Sequence, residues 1–347
     1  NTGGWIFPNV HGQYSIALVS AVKGKIRDSA IGLGGPFSSE KEFAKGRHHL
    51  GYLPFDLLKK YSTGASIPQL PDEKSVEVFT QLRRSPRFDS FTDWEFRPVA
   101  EFHATNDRST FDAGPRKGRW PVLGGFSFNI WQPETAETYA WADPKVVKRA
   151  LFEKRKNQAR SKASAFHGLN PKLLNDESTL PCLSPRIAFR DVTNATNTAP
   201  YLLRIRGNAK DEAYLLAILS SISLDWYARR YVELHVNFHI FNGFPIPIIP
   251  DTDPIRQRVI NISGQLAARD ERYAAWAKEV GVKVGKVQTD SEQFPLVAEL
   301  DALVAHLYGL NRDQLIHLFK TFHRGWDYKP QLEATLEFFD SWKMKSE

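Results

Sequence analysis

Arg186, Arg190, Asn194 and Asn197 are the residues whose types and spacing best suit a defined chemistry. They lie in one stretch, Leu183 to Asn197, in which cations alternate with apolar residues before a tract of short amides and hydroxyls. If residues 186–190 are extended, successive side chains point to opposite faces. Arg186, Ala188 and Arg190 then share one face, and Ile187 and Phe189 the other. Arg and Asn are the side chains that read guanine and adenine edges through paired hydrogen bonds. Arg204 and Arg206 have the same two-residue spacing and join the set as candidates to line the same groove. The plainer reading is an exposed strand followed by an Asn-rich turn.

A second set could supply phosphate contacts, the part of nucleic-acid binding that is sequence-independent and salt-sensitive. Lys145, Lys148, Arg149, Lys154, Arg155, Lys156, Arg160 and Lys162 stand against one acid, Glu153, a local excess equal to the net +7 of the whole chain. Lys145, Lys148, Lys154, Arg155, Lys156, Arg160 and Lys162 are the candidate phosphate contacts. Asp143-Pro144 places a cap and an N1 proline before them, which predicts a helix. The cations then fall on several helix faces and cannot all serve one surface; a solvated helix face is the alternative. Arg83-Arg84-Ser-Pro-Arg87 and Arg116-Lys-Gly-Arg119 are further basic turns. Trp120, Trp131 and Trp141 are candidates to stack on bases, although aromatics in a β-rich stretch more often build a core.

Catalytic patterns are missing from the sequence. There is no phosphate loop of the G-x-x-x-x-G-K-[ST] type and no H-E-x-x-H. Gly32 to Gly35 lacks a strand-to-helix frame. The single cysteine, Cys182, excludes a thiolate zinc site and an intrachain disulfide, and predicts a reducing, cytoplasmic setting. His48, His49, His235, His239, His317 and His323 do not combine with carboxylates at metal spacing, so no metal site and no catalytic residue is expected. Asp72-Glu-Lys74 after Pro71 reads as a surface turn.

At 347 residues, 42% apolar and 24% charged, the chain has the composition of a globular protein of two or three domains. No apolar run reaches membrane-spanning length, and residues 1–8 do not have the pattern of a signal peptide. The absence of an initiating Met suggests a fragment or processed form. The positive charge favours polyanionic partners.

The elements that must position these residues are interspersed helices and strands that do not strictly alternate, which predicts an α+β fold. Trp5 to Lys23 reads as two strands, the second buried on both faces. Helices are expected at 54–60, 74–85 and 145–162. A strand ending in an Asx-type turn is expected at 102–107, and a strand or hairpin around Gly124-Gly125 with a short strand at 139–141. Tyr214, Leu215, Ile218, Leu219, Ile222 and Trp226 form an apolar stripe that predicts one helix over 211–230. Residues 236–249 read as an apolar strand with an extended exit. A helix from Asp253-Pro254 to about Lys278, a linker over 281–290, and three short helices at 295–308, 312–319 and 330–342 complete the chain.

Several segments resemble, in order, the C-terminal part of bacterial restriction-modification proteins that carry an adenine-N6 DNA methyltransferase, the type II fused restriction-methyltransferase family. They are residues 126–131 followed by 140–144, then 151–158, 183–197, 224–230, 236–238, 244–247 and 322–328. Each is moderately specific; together they cover roughly Trp5 to Trp342. The resemblance implies that residues 1–50 end a methyltransferase-like α/β domain, that 51–250 form a DNA target-recognition domain, and that 251–347 form a C-terminal helical segment. It implies double-stranded DNA as partner, with the upstream methyltransferase domain of the same parent chain. S-adenosyl-L-methionine is implied for that parent and no cofactor for this chain. The Gly-containing cofactor loop and the Asn-Pro-Pro-Tyr type tetrapeptide of the family do not occur here. A fused nuclease is present in some relatives. In relatives the tract at 193–197 also continues into Arg-Thr and a further apolar stretch, whereas here Thr198 abuts Ala199; an interruption with missing residues is expected at that junction. A non-enzymatic nucleic-acid-binding adaptor on the same scaffold, and a protein-interaction module whose basic helix is solvated surface, are the alternatives.

Overall fold

The computed structural model describes residues 4–12, 16–21, 23, 30–61, 66–111, 114–135, 137–191, 198–231, 236–323 and 325–346. Asn194 and Asn197 lie outside these residues, as does His235. The described chain is α+β: numerous helices and three separate two-stranded antiparallel ladders.

In the first ladder β1 (Ala30–Leu33) pairs with β2 (Gly51–Pro54), with α1 (Glu40–Gly46) between them. Then come α2 (Phe55–Tyr61) and α3 (Glu73–Leu82). Asp72, expected in a surface turn, is the N-cap of α3, its Oδ1 accepting from the Ser75 N–H at 2.7 Å. Strand β3 (Glu95–Val99) precedes a second ladder in which β4 (Trp120–Val122) pairs with β5 (Ala140–Ala142); the short strand expected at 139–141 is there, but of the strand or hairpin expected over 121–131 only the start is strand and the rest is loop. Helix α4 (Pro144–Gln158) starts where Asp143 and Pro144 place it: the Asp143 carboxylate accepts from the Lys145 and Val146 N–H groups. After α5 (Pro171–Asn175), β6 (Tyr201–Arg206) returns to pair with β3 across more than a hundred residues.

The rest is helical: α6 (Ala209–Leu219), α7 (Ile222–Ala228), α8 (Phe238–Asn242), α9 (Pro254–Ala267), α10 (Ala274–Val280), α11 (Asp290–Leu307), α12 (Arg312–Phe322) and α13 (Lys329–Ser346). One core joins α3, α6 and α7 to the C-terminal helices, with Trp226, Tyr214, Leu215, Ile218 and Phe319 fully buried. Each such side chain contributes about 1.5–3 kcal/mol. A smaller lobe holds two satellite cores. One is built on Phe102, Phe111, Val147 and Leu151, the other on Val99, Phe166, Tyr201 and Leu203. Among the described residues no helix is long and apolar enough to cross a membrane.

The structure corrects several expectations. Residues 16–21 form no strand, and Leu18 and Val19 are 67% and 83% exposed. A strand buried on both faces needs a covered sheet, and the described residues offer this segment none. The expected helix over 211–230 is two helices. Ser221 caps α7, and the Ile222 N–H donates to Asp301 Oδ1 at 2.9 Å, so a carboxylate from α11 takes the place of the preceding turn's carbonyl. The expected helix to Lys278 likewise stops at Ala267, and Asp270 starts a new turn by accepting from the Arg272 N–H. The strand expected at 236–249 begins as α8, because one helical turn sets Phe238 and Phe241 against Phe189. Residues 244–246 then pair with 86–88. No strand forms at 102–107, but the turn closes as expected, with the His103 N–H donating to Asp107 at 2.7 Å. Beside these corrections, Thr198 and Ala199 are both anchored. Thr198 Oγ1 donates to the Phe102 carbonyl, and the Ala199 N–H to the Leu123 carbonyl at 2.9 Å.

Candidate nucleic-acid interface

Residues 186–190 are extended and run antiparallel to the start of β6. The Leu202 N–H donates to the Ile187 carbonyl at 2.9 Å and the Phe189 N–H to the Pro200 carbonyl at 3.0 Å. The alternation follows the sequence pattern: Ile187 is buried and Phe189 packs on the core, whereas Ala188 and Arg190 are exposed. The four arginines singled out for base reading are all engaged by the protein itself. Arg186 forms a two-point pair with Glu101, at 2.5 and 2.8 Å, and lies over the Tyr201 ring. Arg190 donates to the carbonyls of Gly125 and Phe128 at 2.6 and 3.1 Å. Arg204 pairs with Glu212 at 3.3 Å, and Arg206 bonds the Thr92 carbonyl and lies 3.7 Å from Glu95. They are therefore parked: a base edge must either displace these partners or use N–H groups they leave free.

Residues 124–132, where Arg190 ends, form a braced loop. Asn129 and Gln132 exchange backbone hydrogen bonds, and Arg269 donates two more to the Trp131 carbonyl. Trp131 has φ of 59°, a left-handed conformation rare outside glycine, held by these contacts. Trp131 is buried, and Trp120 packs against the smaller lobe, as befits core aromatics.

The cations of α4 and the turn after it divide by helix face. Arg155 is buried and donates to the Asp176 carbonyl at 2.7 Å and to Thr179 Oγ1 at 3.0 Å. Lys154 donates to the Glu101 carbonyl at 2.7 Å and pairs with Asp107 at 3.0 Å. Both tie the helix to its own lobe. Lys145, Arg149 and Lys156 lie within about 40° of one another around the axis at 3.6 residues per turn, opposite buried Val147 and Leu151. They have no acidic partner, and Lys156 sits 4.0 Å from the centre of the Phe152 ring. Lys148 is half-buried, and Arg160 and Lys162 are exposed just past the helix. Glu153, four residues after Arg149 and three before Lys156, is exposed on the same face without closing an ion pair to either, so the outward stripe carries a net positive charge of three cations against one acid among the described residues.

A cavity of about 460 Å³ opens where the braced loop, the 182–188 segment and helices α6 and α9 meet. Glu101, Arg186, Tyr201 and Glu212 line it, with Phe102, Trp131, Tyr273 and Trp276 as aromatic walls. Glu101 and Glu212 carry no sequence signal of their own. Glu101 stands 85 residues from its partner Arg186, and no short motif connects them. Among the described residues no cluster of His, Cys, Asp and Glu could hold a metal ion. Comparison with protein-family models, with curated proteins and with solved structures finds no match.

Proposed function

We propose that this chain is the target-recognition region of a site-specific adenine-N6 DNA methyltransferase from a restriction-modification, phage-defence system. Its partner is double-stranded DNA. The ordered resemblance along the chain supports this reading, and the single observation that carries it in the fold is the net positive stripe of Lys145, Arg149 and Lys156, with Glu153 the one acid on that face, extended by Arg160 and Lys162. Such charges on a duplex release counterions and position the protein without reading sequence. Arg186, Arg190, Arg204 and Arg206 then read bases, once DNA competes for the guanidinium groups that Glu101, the loop carbonyls and Glu212 now hold. In this reading residues 1–50 end the methyltransferase domain, 51–250 recognise the target and 251–347 brace the recognition domain. Methyl transfer from S-adenosyl-L-methionine belongs to the upstream domain.

Duplex binding by the whole chain at two salt concentrations tests this. Each phosphate contact contributes about 0.9 to the slope of log affinity against log salt. Changing Lys145, Arg149 and Lys156 to Gln should therefore lower the slope by about 2.7. Wild type should lose roughly 40-fold more affinity than the variant between about 50 and 200 mM salt. No duplex binding at low salt, or an unchanged slope, overturns the reading.

A further inference from the structure

We propose that the cavity between the braced loop and helices α6 and α9 is a binding site for a neutral nucleobase or nucleoside bearing an exocyclic amine, recognised through Glu212 and Tyr201. As a pocket for a base everted from DNA it rests on the function proposed above. As a pocket for a free nucleoside it does not.

The walls favour a flat ring. Phe102, Trp131, Tyr273 and Trp276 all face one space, and aromatic side chains stack on any base through their π faces. At about 460 Å³ the cavity falls in the usual range for small-molecule sites and has room for a sugar as well as a base. Its exposed lining residues, Pro121, Asn129, Gln132, Ser184 and Ala188, form the mouth, and Glu212 and Tyr201 are only 4% exposed.

Trp131 Nε1 in this wall is buried without a hydrogen-bond partner, and two acceptors beside it are open to the cavity. Glu212 Oε2 accepts from Trp276 Nε1 at 2.9 Å and from Arg204 at 3.3 Å, but no hydrogen bond reaches Oε1. Tyr201 makes no side-chain hydrogen bond, although its ring supports Arg186. Glu212 Oε1 reaches the cavity space and takes no donor from the protein, which leaves a largely desolvated carboxylate under-satisfied at some cost. Burial pushes the Glu212 carboxyl above its ordinary range, against the pull of Arg204 and the Trp276 indole. A ligand amine donating to Oε1 relieves that cost, and the Tyr201 hydroxyl can donate to, or accept from, a neighbouring ring atom. In the free chain the charges on the wall are paired, Arg186 with Glu101 and Arg204 with Glu212, and release of either arginine to DNA leaves a carboxylate behind, so in both states the site favours a neutral ligand over a polyphosphate.

Adenosine, cytidine, thymidine and ATP are titrated into the whole chain by calorimetry and by quenching of tryptophan emission. Adenosine or cytidine should saturate. Thymidine, which sets carbonyls on both sides of its single ring N–H, should bind weaker by on the order of tenfold or more. Glu212→Gln should cost the amine-bearing nucleosides a similar factor and spare thymidine. Ala267→Phe, filling the cavity from half-buried Ala267, should abolish binding with the melting temperature held, and keeps the test decisive if the Glu212 variant does not fold. A parallel arm places 2-aminopurine at each position of a duplex selected for binding. Bright emission at one position, lost in Ala267→Phe while salt-sensitive duplex binding persists, identifies an everted base as the source. Saturable nucleoside binding without that emission identifies a free nucleoside. Duplex binding with neither signal, or ATP binding far tighter than adenosine, overturns the pocket and leaves the recognition function standing. Nucleoside binding without duplex binding does the reverse.

Discussion

Asp301 offers a sharp test of how the two halves of the core are joined. It sits on α11, fully buried, accepting from the Ile222 N–H of α7 at 2.9 Å and from Gln331 of α13 at 3.4 Å. Among the described residues no cation pairs with it. Burial, reinforced by the nearby Asp225 charge, pushes its carboxyl from the usual 3.8 up to about 7, against the opposing pull of the Ile222 and Gln331 hydrogen bonds. The folded value is raised, so the native state holds a proton that the unfolded state has released. Stability from this group is complete below about pH 4 and is lost as pH rises to about 7. Three pH units at about 1.36 kcal/mol each make the loss about 4 kcal/mol. Asp301→Asn removes the ionisation and keeps an acceptor for the Ile222 N–H. Its stability should match wild type near pH 4 and exceed it by up to about 4 kcal/mol at pH 8. Urea denaturation of both proteins across that pH range measures the difference, and groups titrating equally in the two cancel. A difference that stays flat with pH, or a variant less stable at pH 8, would refute the reasoning. Asp301→Leu is the control: it leaves the Ile222 N–H unpaired and should be less stable than Asp301→Asn at every pH.

Arg155→Met should lower stability by about 2 kcal/mol, because the Asp176 and Thr179 acceptors lose their buried donor. Its salt slope for duplex binding should equal that of wild type; a flattened slope would show that Arg155 reaches phosphate after all. Glu101→Gln weakens the clamp on Arg186 and should raise duplex affinity several-fold (on the order of 1 kcal/mol) in an anisotropy titration, an increase that Arg186→Ala should erase. Equal or weaker binding by Glu101→Gln would mean that the pair does not compete with DNA. The chain by itself should not bind S-adenosyl-L-methionine, since both methyl-transfer motifs are missing from its sequence; stoichiometric micromolar binding in a calorimeter would contradict this.

What the sequence determined alone were features whose physics is local. Asp143-Pro144 fixes the start of α4 because a carboxylate and an N1 proline satisfy the first helix donors whatever lies around them. The apolar stripe from Tyr214 to Trp226 marks a buried helical face, and the 186–190 alternation sorts Ile187 and Phe189 from Arg186 and Arg190 by the period of an extended chain. Tertiary structure decided what depends on distant partners. The break between α6 and α7 is completed by a carboxylate about eighty residues away. The α8 turn answers to Phe189, which no local pattern in 236–249 encodes. The cations of α4 look alike in sequence, but Lys154 and Arg155 bond groups from 101–107 and 176–179, which leaves Lys145, Arg149 and Lys156 as the free stripe. The parked state of Arg186 depends on Glu101, and the cavity gathers Glu101, Trp131, Tyr201, Glu212 and Trp276 from five separate stretches. Charge pairing and enclosed space arise only where chain segments meet, so neither leaves a periodic mark in the sequence.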